Sequence, residues 1–246
     1  MRNIKMTIEY DGTRYQGWQR LGNTDKTIQG KIENIIKQLT GETIEIIGSG
    51  RTDAGTHARN QVANFKTEYT GSLAEMLSFF HKYLPQDIVV KHLEEVPDRF
   101  HARYNAKGKT YSYYLWNDPI PSAFKRHYSY HYPETLNLDA MQQAAELLCG
   151  THDFAGFSAL KKSKKSTVRT IEAITITREG HELHFTFKGN GFLHKMVRIL
   201  VGTLVEIGSG QMKIKQIETI FEQKIRSEAG ETMPAQGLFL DYVEYE

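Results

Sequence analysis

TIQGKIENIIKQLTGETIEIIGSGRTDAGTH, residues 27–57, runs from a helical pattern through a β-branched segment into a loop crowded with functional groups. Ile28, Ile32, Ile35, Ile36 and Leu39 recur at helical spacing, which predicts an amphipathic helix over 28–39 with one buried face. Thr27 is placed to cap this helix and Gly41 to stop it. The β-branched run Thr43 to Ile47 then leads into residues 49–57, where one carboxylate, Asp53, lies between Gly50 and Gly55, with Arg51 two positions before it and His57 four after. Glycine takes backbone angles that other residues avoid, so a sharp loop is expected. It is either a plain surface turn or a device that holds Asp53 outward as a fixed anion.

Outward from this stretch, Ile4 to Tyr10, Val62 to Lys66 and Val89 to Val96 read as strands and Leu73 to Leu84 as a helix. A second series echoes the first. Strand Thr110 to Trp116 precedes helix Leu138 to Leu148, ended by Gly150; strands Thr170 to Arg178 and His184 to Phe187 follow, then helices and a last strand, Leu238 to Tyr245. The expected fold class is α+β: two similar halves, 1–105 and 106–246, each a mixed, mainly antiparallel sheet with helices on one face, with a basic cleft between the halves. The junction falls near Arg103 to Lys109.

The 246 residues, 39% of them hydrophobic, suffice for a real core. A single cysteine, Cys149, excludes an internal disulfide and a cysteine zinc cluster, and no run of about 18 apolar residues suggests a membrane span. Met1 to Tyr10 alternates like a strand rather than a signal peptide, so a cytoplasmic location is the default. The net charge of +2 conceals segregation. Arg99, Arg103, Lys107, Lys109, Lys125 and Arg126 lie between Arg99 and His131 opposed only by Asp118, and Lys161, Lys162, Lys164, Lys165 and Arg169 follow without an acid among them. With Tyr104, Tyr111, Tyr113 and Tyr114 interleaved, these blocks suit a polyanion that also offers stacking surfaces; a solvated loop is the plainer reading, above all for the Lys/Ser segment within Ala159 to Thr167, which is expected to be mobile.

Several chemistries are excluded by spacing. Gly108-Lys109-Thr110 lacks the glycine five residues earlier that a phosphate loop needs, since position 103 is Arg. His181 and His184 are three apart in a strand pattern, whereas a zinc protease motif needs four on a helix, so they read as surface strand residues. There is no Gly-x-Ser-x-Gly elbow, and no dinucleotide fingerprint follows the first strand. Metal and nicotinamide are not expected. One carboxylate, arginines, a tyrosine-rich strand and polyanion-friendly surface fit chemistry on a nucleic-acid base better than hydrolysis by paired acids.

At this point the chain resembles the tRNA pseudouridine synthases of the TruA family. The likeness runs through Tyr10-Asp11-Gly12-Thr13-Arg14-Tyr15-Gln16-Gly17-Trp18-Gln19, Gly50-Arg51-Thr52-Asp53-Ala54-Gly55, Lys109-Thr110-Tyr111-Ser112-Tyr113 and His152-Asp153-Phe154. It continues through Gly189-Asn190-Gly191-Phe192-Leu193, Met196-Val197-Arg198 and Gly237-Leu238-Phe239-Leu240. A departure is Thr56, where the family commonly has Val, which bears on loop packing more than on chemistry. The Lys161 to Lys165 segment is a variable part of the pattern.

The resemblance implies isomerisation of uridine to pseudouridine at positions 38, 39 and 40 in the anticodon stem-loop of tRNA, without metal, nucleotide or redox cofactor, by a homodimer. Asp53 matches the essential aspartate, and whether it attacks C1′, adds to the ring or begins an elimination is left open by residue identity. Each route needs the carboxylate ionised; a cation within about 4–6 Å depresses a carboxylate pKa by one to three units. Arg198 matches the residue positioned for that pairing, although alone it reads as an arginine snorkelling from the amphipathic run Phe192 to Val205. Tyr111 matches the tyrosine that contacts the substrate uracil, and strand alternation puts Tyr113 on its face. Arg51 is expected to hold the position vacated by a flipped-out nucleotide, Leu238 to pack against the uracil or Tyr111, and Arg14, Arg20, Lys109 and the Arg99 to Lys107 region to grip phosphates. Two rivals remain: a catalytically inert RNA-binding protein and a cofactor-free hydrolase acting through Asp53.

Overall fold

The alternation that opens the chain becomes β1 (Arg2–Tyr10), whose Ile4, Met6, Ile8 and Tyr10 are buried on one face. In the computed structural model, which describes residues 1–160 and 166–245, this strand is central to the first of two units, made of residues 1–107 with the closing stretch from Phe239. β1 pairs antiparallel with β3 (His57–Thr67) on one side and β4 (Ile88–Val96) on the other. The outer edge of β3 is shared. β2 (Ile47–Gly48) lies antiparallel against Asn64 and Ala63, while β10 (Leu238–Glu244) runs parallel, with Phe239 opposite His57 and Leu240 opposite Ala58.

Helix α1 (Ile28–Thr40) buries Ile28, Ile32, Ile35 and Ile36, with Thr27 Oγ1 accepting from Gly30 N–H at 3.3 Å and Gly41 at φ 77° ending it. Helix α2 (Leu73–Tyr83) starts on a capping box between Ser72 and Glu75. The β-branched run Thr43 to Ile47 enters a strand only at Ile47, the first residue of β2, because the Ile46 N–H is taken by the buried Glu33 carboxylate of α1 at 3.0 Å rather than by a neighbouring strand.

The second unit spans Gly108 to Leu238. Its strands β5 (Gly108–Trp116), β9 (Glu182–Gly189), β8 (Val168–Glu179) and β7 (Gly150–Asp153) are antiparallel neighbours in that order, and β6 (Tyr130–His131) runs parallel to the end of β5. A two-residue turn, Gly180-His181, joins β8 to β9, so His181 stands in the turn and only His184 in the strand. Helices α3 (Leu138–Leu148), α4 (Met196–Gly208) and α5 (Gln216–Gln223) complete it. Both units are therefore α+β with mixed, mainly antiparallel strands, as the sequence predicts. The Lys161 to Lys165 segment lies outside the described residues. Among those described, no helix is long and apolar enough to cross a membrane.

Helix α4 departs from the amphipathic expectation, since every residue except Arg198 and Glu206 is buried. The polar side that sequence leaves for water is covered by the segment 229–233. Thr203 Oγ1 accepts from Gly230 N–H at 3.0 Å, the Met233 N–H donates to Arg198 O at 3.2 Å, and Gly202 backs onto Glu231 so closely that an added Cβ would lie 1.9 Å from its carbonyl oxygen. Gly202→Ala should accordingly destabilise the fold by about 1–3 kcal/mol, read as a lower urea midpoint at unchanged slope. A midpoint equal to wild type would show that the segment yields freely.

Candidate active site

Asp53 sits partly buried in the loop between β2 and β3. Gln61 of β3, with no exposed surface, fastens the start of that loop: its carbonyl accepts from Ser49 Oγ at 2.7 Å and its amide nitrogen donates to Gly50 O at 3.0 Å. The Tyr10 hydroxyl lies 2.8 Å from Thr52 Oγ1. Residues 12–18 add main-chain ties, with Trp18 N–H donating to Thr52 O at 3.1 Å, Gly55 N–H to Tyr15 O at 3.2 Å and Gly12 N–H to His57 Nδ1 at 3.0 Å. Thr56 N–H closes the turn on Asp53 O at 3.1 Å, with Gly55 at φ 78°.

Two glycines of the Tyr10 to Gln19 motif thereby acquire a reason. A Cβ on Gly12 would lie 2.0 Å from Thr56 O, and one on Gly17 2.6 Å from Thr52 O. The motif and the Asp53 loop are a single object pressed backbone to backbone. His57, buried, stacks on Phe239 at 4.6 Å, and its Nδ1 lies 3.0 Å from the Gly12 nitrogen and 3.1 Å from Asp11 Oδ1. Burial pushes the Tyr10 phenol up to about 12 against the hydrogen bonds from Thr52 and Gln61. Thr56, the departure from the family pattern, has its hydroxyl buried without a hydrogen-bond partner among the described residues.

The predicted cations of this unit differ in availability. Arg14 is exposed but its guanidinium is bound to Asp87 at 2.5 Å, and the same carboxylate accepts from Tyr15 OH at 2.6 Å. Arg20 Nη1 lies 3.0 Å from Glu33 Oε2, within the network through which Glu33 and Gln29 hold α1. Arg51 is exposed and makes no hydrogen bond or ion pair among the described residues.

In the second unit Tyr111 and Tyr113 share one face of β5, as alternation requires, and both are buried. Tyr111 meets the Phe192 ring edge-on at 5.2 Å. Tyr113 donates its hydroxyl to Pro234 O at 2.9 Å; burial raises its pKa, with the Arg198 charge acting against the rise. Tyr114, on the other face, stacks nearly parallel on His184 at 4.6 Å. Arg198 enters the first turn of α4 and donates Nε–H to Met233 O at 2.6 Å. Consecutive carbonyls, 233 and 234, thus receive Arg198 and Tyr113, and the chain then passes Gly237, whose Cβ would fall 2.7 Å from the Tyr113 ring, to reach buried Leu238. Lys109 is partly buried at the start of β5.

Sequence reasoning missed Gln61, the Tyr10 to Thr52 bond and the Met233 to Pro234 carbonyls. A glutamine just ahead of the apolar run from Val62 was a weak signal for the first, and nothing in the sequence marks the carbonyls.

Residues 6–105 and 144–246 match the sequence pattern of the tRNA pseudouridine synthase family. The chain is 48% identical over 245 residues to tRNA pseudouridine synthase A 2 of Bacillus cereus and 49% identical over 245 residues to tRNA pseudouridine synthase A of Bacillus sp. strain KSM-64. It is 48% identical over 246 residues to tRNA pseudouridine synthase A of Acetivibrio thermocellus, and all three alignments cover 100% of both chains. Asp53 and Arg198 fall within the matched pattern; Lys109 and Tyr111 fall outside it and are spanned by the full-length relatives.

Two outcomes follow for the loop. Tyr10 ionises near 12 in the folded chain and near 10 when unfolded, so its contribution is whole below pH 10 and is lost as pH rises toward 12. The difference in unfolding free energy between wild type and Tyr10→Phe should therefore fall by about 2–3 kcal/mol across that window, whereas parallel pH curves would contradict it. Thr56→Val removes an orphaned hydroxyl at nearly constant shape and should stabilise the chain by about 1 kcal/mol in denaturant titration; a loss of stability would mean the hydroxyl has a partner.

Proposed function

Because the chain belongs to the tRNA pseudouridine synthase family, we propose that it isomerises uridine to pseudouridine at positions 38, 39 and 40 of the tRNA anticodon stem-loop, with Asp53 as nucleophile. The observation that carries this reading is the agreement along the whole chain with relatives of that name at 48% identity. The fixed main chain on both sides of Asp53 supports the role given to it, because a nucleophile must be held within a fraction of an ångström of the atom it attacks.

In this reading the C1′–N1 bond breaks, the uracil turns while held, and C5 joins C1′. The C5 proton leaves and N1 gains one, so nothing is oxidised or reduced and the product keeps the mass of the substrate. Asp53 supplies the carboxylate, Arg198 its cationic partner, and Tyr111 a ring against the uracil, with Leu238 packing beside them. A uridine stacked in a stem is out of reach, so the nucleotide is flipped out at a cost of a few kcal/mol, and Arg51 holds the vacated place. Having no hydrogen bond or ion pair among the described residues suits it to that task.

Lys109 and the Arg99 to Lys107 region hold phosphates, as do Arg14 and Arg20 once they exchange Asp87 and Glu33 for the RNA. A homodimer acting in the cytoplasm, with tRNA bridging basic surfaces of both copies, completes the proposal.

Asp53→Asn should bind tRNA within about twofold of wild type and form no detectable pseudouridine, scored by a pseudouridine-tagging reagent read along the tRNA. An active variant would refute the nucleophile. Wild-type protein that only binds would support an inert RNA-binding protein, and free uracil or a cut strand would support a hydrolase.

A further inference from the structure

Tyr104 is a large aromatic side chain displayed on a hydrogen-bonded turn. It is 79% exposed, yet it stands on a turn fixed from several directions. His101 Nδ1 accepts from both the Arg103 and the Tyr104 N–H at 3.2 Å, and the Asn105 side chain accepts from His101 N–H at 2.7 Å, while Asn105 N–H returns to His101 O at 3.0 Å. Between them Ala102 is completely buried, its N–H donated to Asn64 of β3 at 2.8 Å and its carbonyl taken by Tyr245 OH at 2.7 Å. The Tyr104 ring lies on the His101 ring at 4.1 Å and 29°, which supports one face of it.

Basic residues flank this ring in the sequence, with the acids Glu42 and Glu45 lining the same cavity as Arg99 and His101 and the Glu244 carbonyl accepting from Lys107 N–H. Arg99, Arg103 and Lys107 are exposed, and none has an ion pair or side-chain hydrogen bond among the described residues. The acid closest in sequence, Asp98, is engaged by Lys66. Three uncommitted cations beside a rigid, exposed ring match a partner that alternates anions with flat apolar faces. Bases inside a duplex already have both faces covered, so the fitting occupant is an unpaired nucleotide.

We propose that Tyr104, backed by His101, is a stacking platform for an unpaired base of the bound RNA, with Arg99, Arg103 and Lys107 on the flanking phosphates. This rests on the reading of the chain as a tRNA-modifying enzyme and adds to it a contact that takes no part in the chemistry. A rigid platform loses little side-chain freedom on binding, which is why the hydrogen bonds under it matter.

The test measures the affinity of wild type, Tyr104→Phe, Tyr104→Ala and Arg103→Gln for tRNA, for a single-stranded oligouridylate and for a blunt RNA duplex, at several salt concentrations. Pseudouridine formation is scored in the same tRNA samples. Tyr104→Ala should weaken tRNA and oligouridylate binding about tenfold at unchanged salt slope and leave the duplex unaffected, while Tyr104→Phe stays within about twofold of wild type. Arg103→Gln should lower the salt slope by about one. Equal affinity of Tyr104→Ala and wild type, or Tyr104→Phe as weak as Tyr104→Ala, overturns the platform, as does a wild type that binds no RNA. Wild type that binds but forms no pseudouridine refutes the proposed activity instead, and the ratio of the Tyr104 variants still decides the stacking.

Discussion

The first unit depends on one close approach: the backbone of residues 12–18 lies against that of residues 52–56, at a separation that leaves no room for a Cβ at Gly12 or Gly17. Hydrogen bonds from Gly12, Trp18 and Gly55 exist only because the two chains come that near. A side chain at either glycine would therefore do more than fill space; it would lift the loop off the three bonds that orient it. Tyr10 and Gln61 secure the other flank from inside the sheet, so the carboxylate position inherits the rigidity of β1 and β3 rather than that of a free loop.

The second unit solves the same problem with different material. Arg198 has a long, flexible side chain, and a first-turn helix position alone would not fix where its guanidinium points. The Met233 carbonyl takes Nε while the Met233 N–H binds the Arg198 carbonyl, so the residue is held by both its backbone and its side chain to one neighbour. The next carbonyl, Pro234, takes the Tyr113 hydroxyl. A short irregular segment thus does the work of a strand edge, which is possible because its polar main-chain groups find side-chain partners instead of a ladder.

Much of the fold was legible, for identifiable reasons. Helix α1 and its Thr27 cap, the Gly41 stop and the strands beginning at Ile4 and Thr110 are all written in local periodicity. The Thr43 to Ile47 run was not, because its β propensity is overridden by a buried glutamate thirteen residues away that claims the Ile46 N–H. Helix α4 misled in the opposite sense: Gly202 and Thr203 look like a polar break in an amphipathic pattern, and become contacts only once residues 229–233 lie across them. Of the candidate site, the side chains with chemistry were visible as residue types, whereas the groups that hold them are mostly backbone atoms, which every sequence supplies and no sequence marks.

That division bears on how the arginines are to be weighed. By sequence nothing ranks Arg14, Arg20 and Arg51 as cations, yet two of them already face carboxylates, Asp87 and Glu33, and the latter is buried. An arginine that must leave one anion to meet another gains only the difference between the two interactions, and Glu33 would be left behind with its charge poorly solvated. Turning to a phosphate therefore costs Arg20 most and Arg14, whose guanidinium is exposed, less, whereas Arg51 has no partner among the described residues to give up. The order of usefulness follows from what each guanidinium has to give up, a quantity that its place in the sequence does not contain.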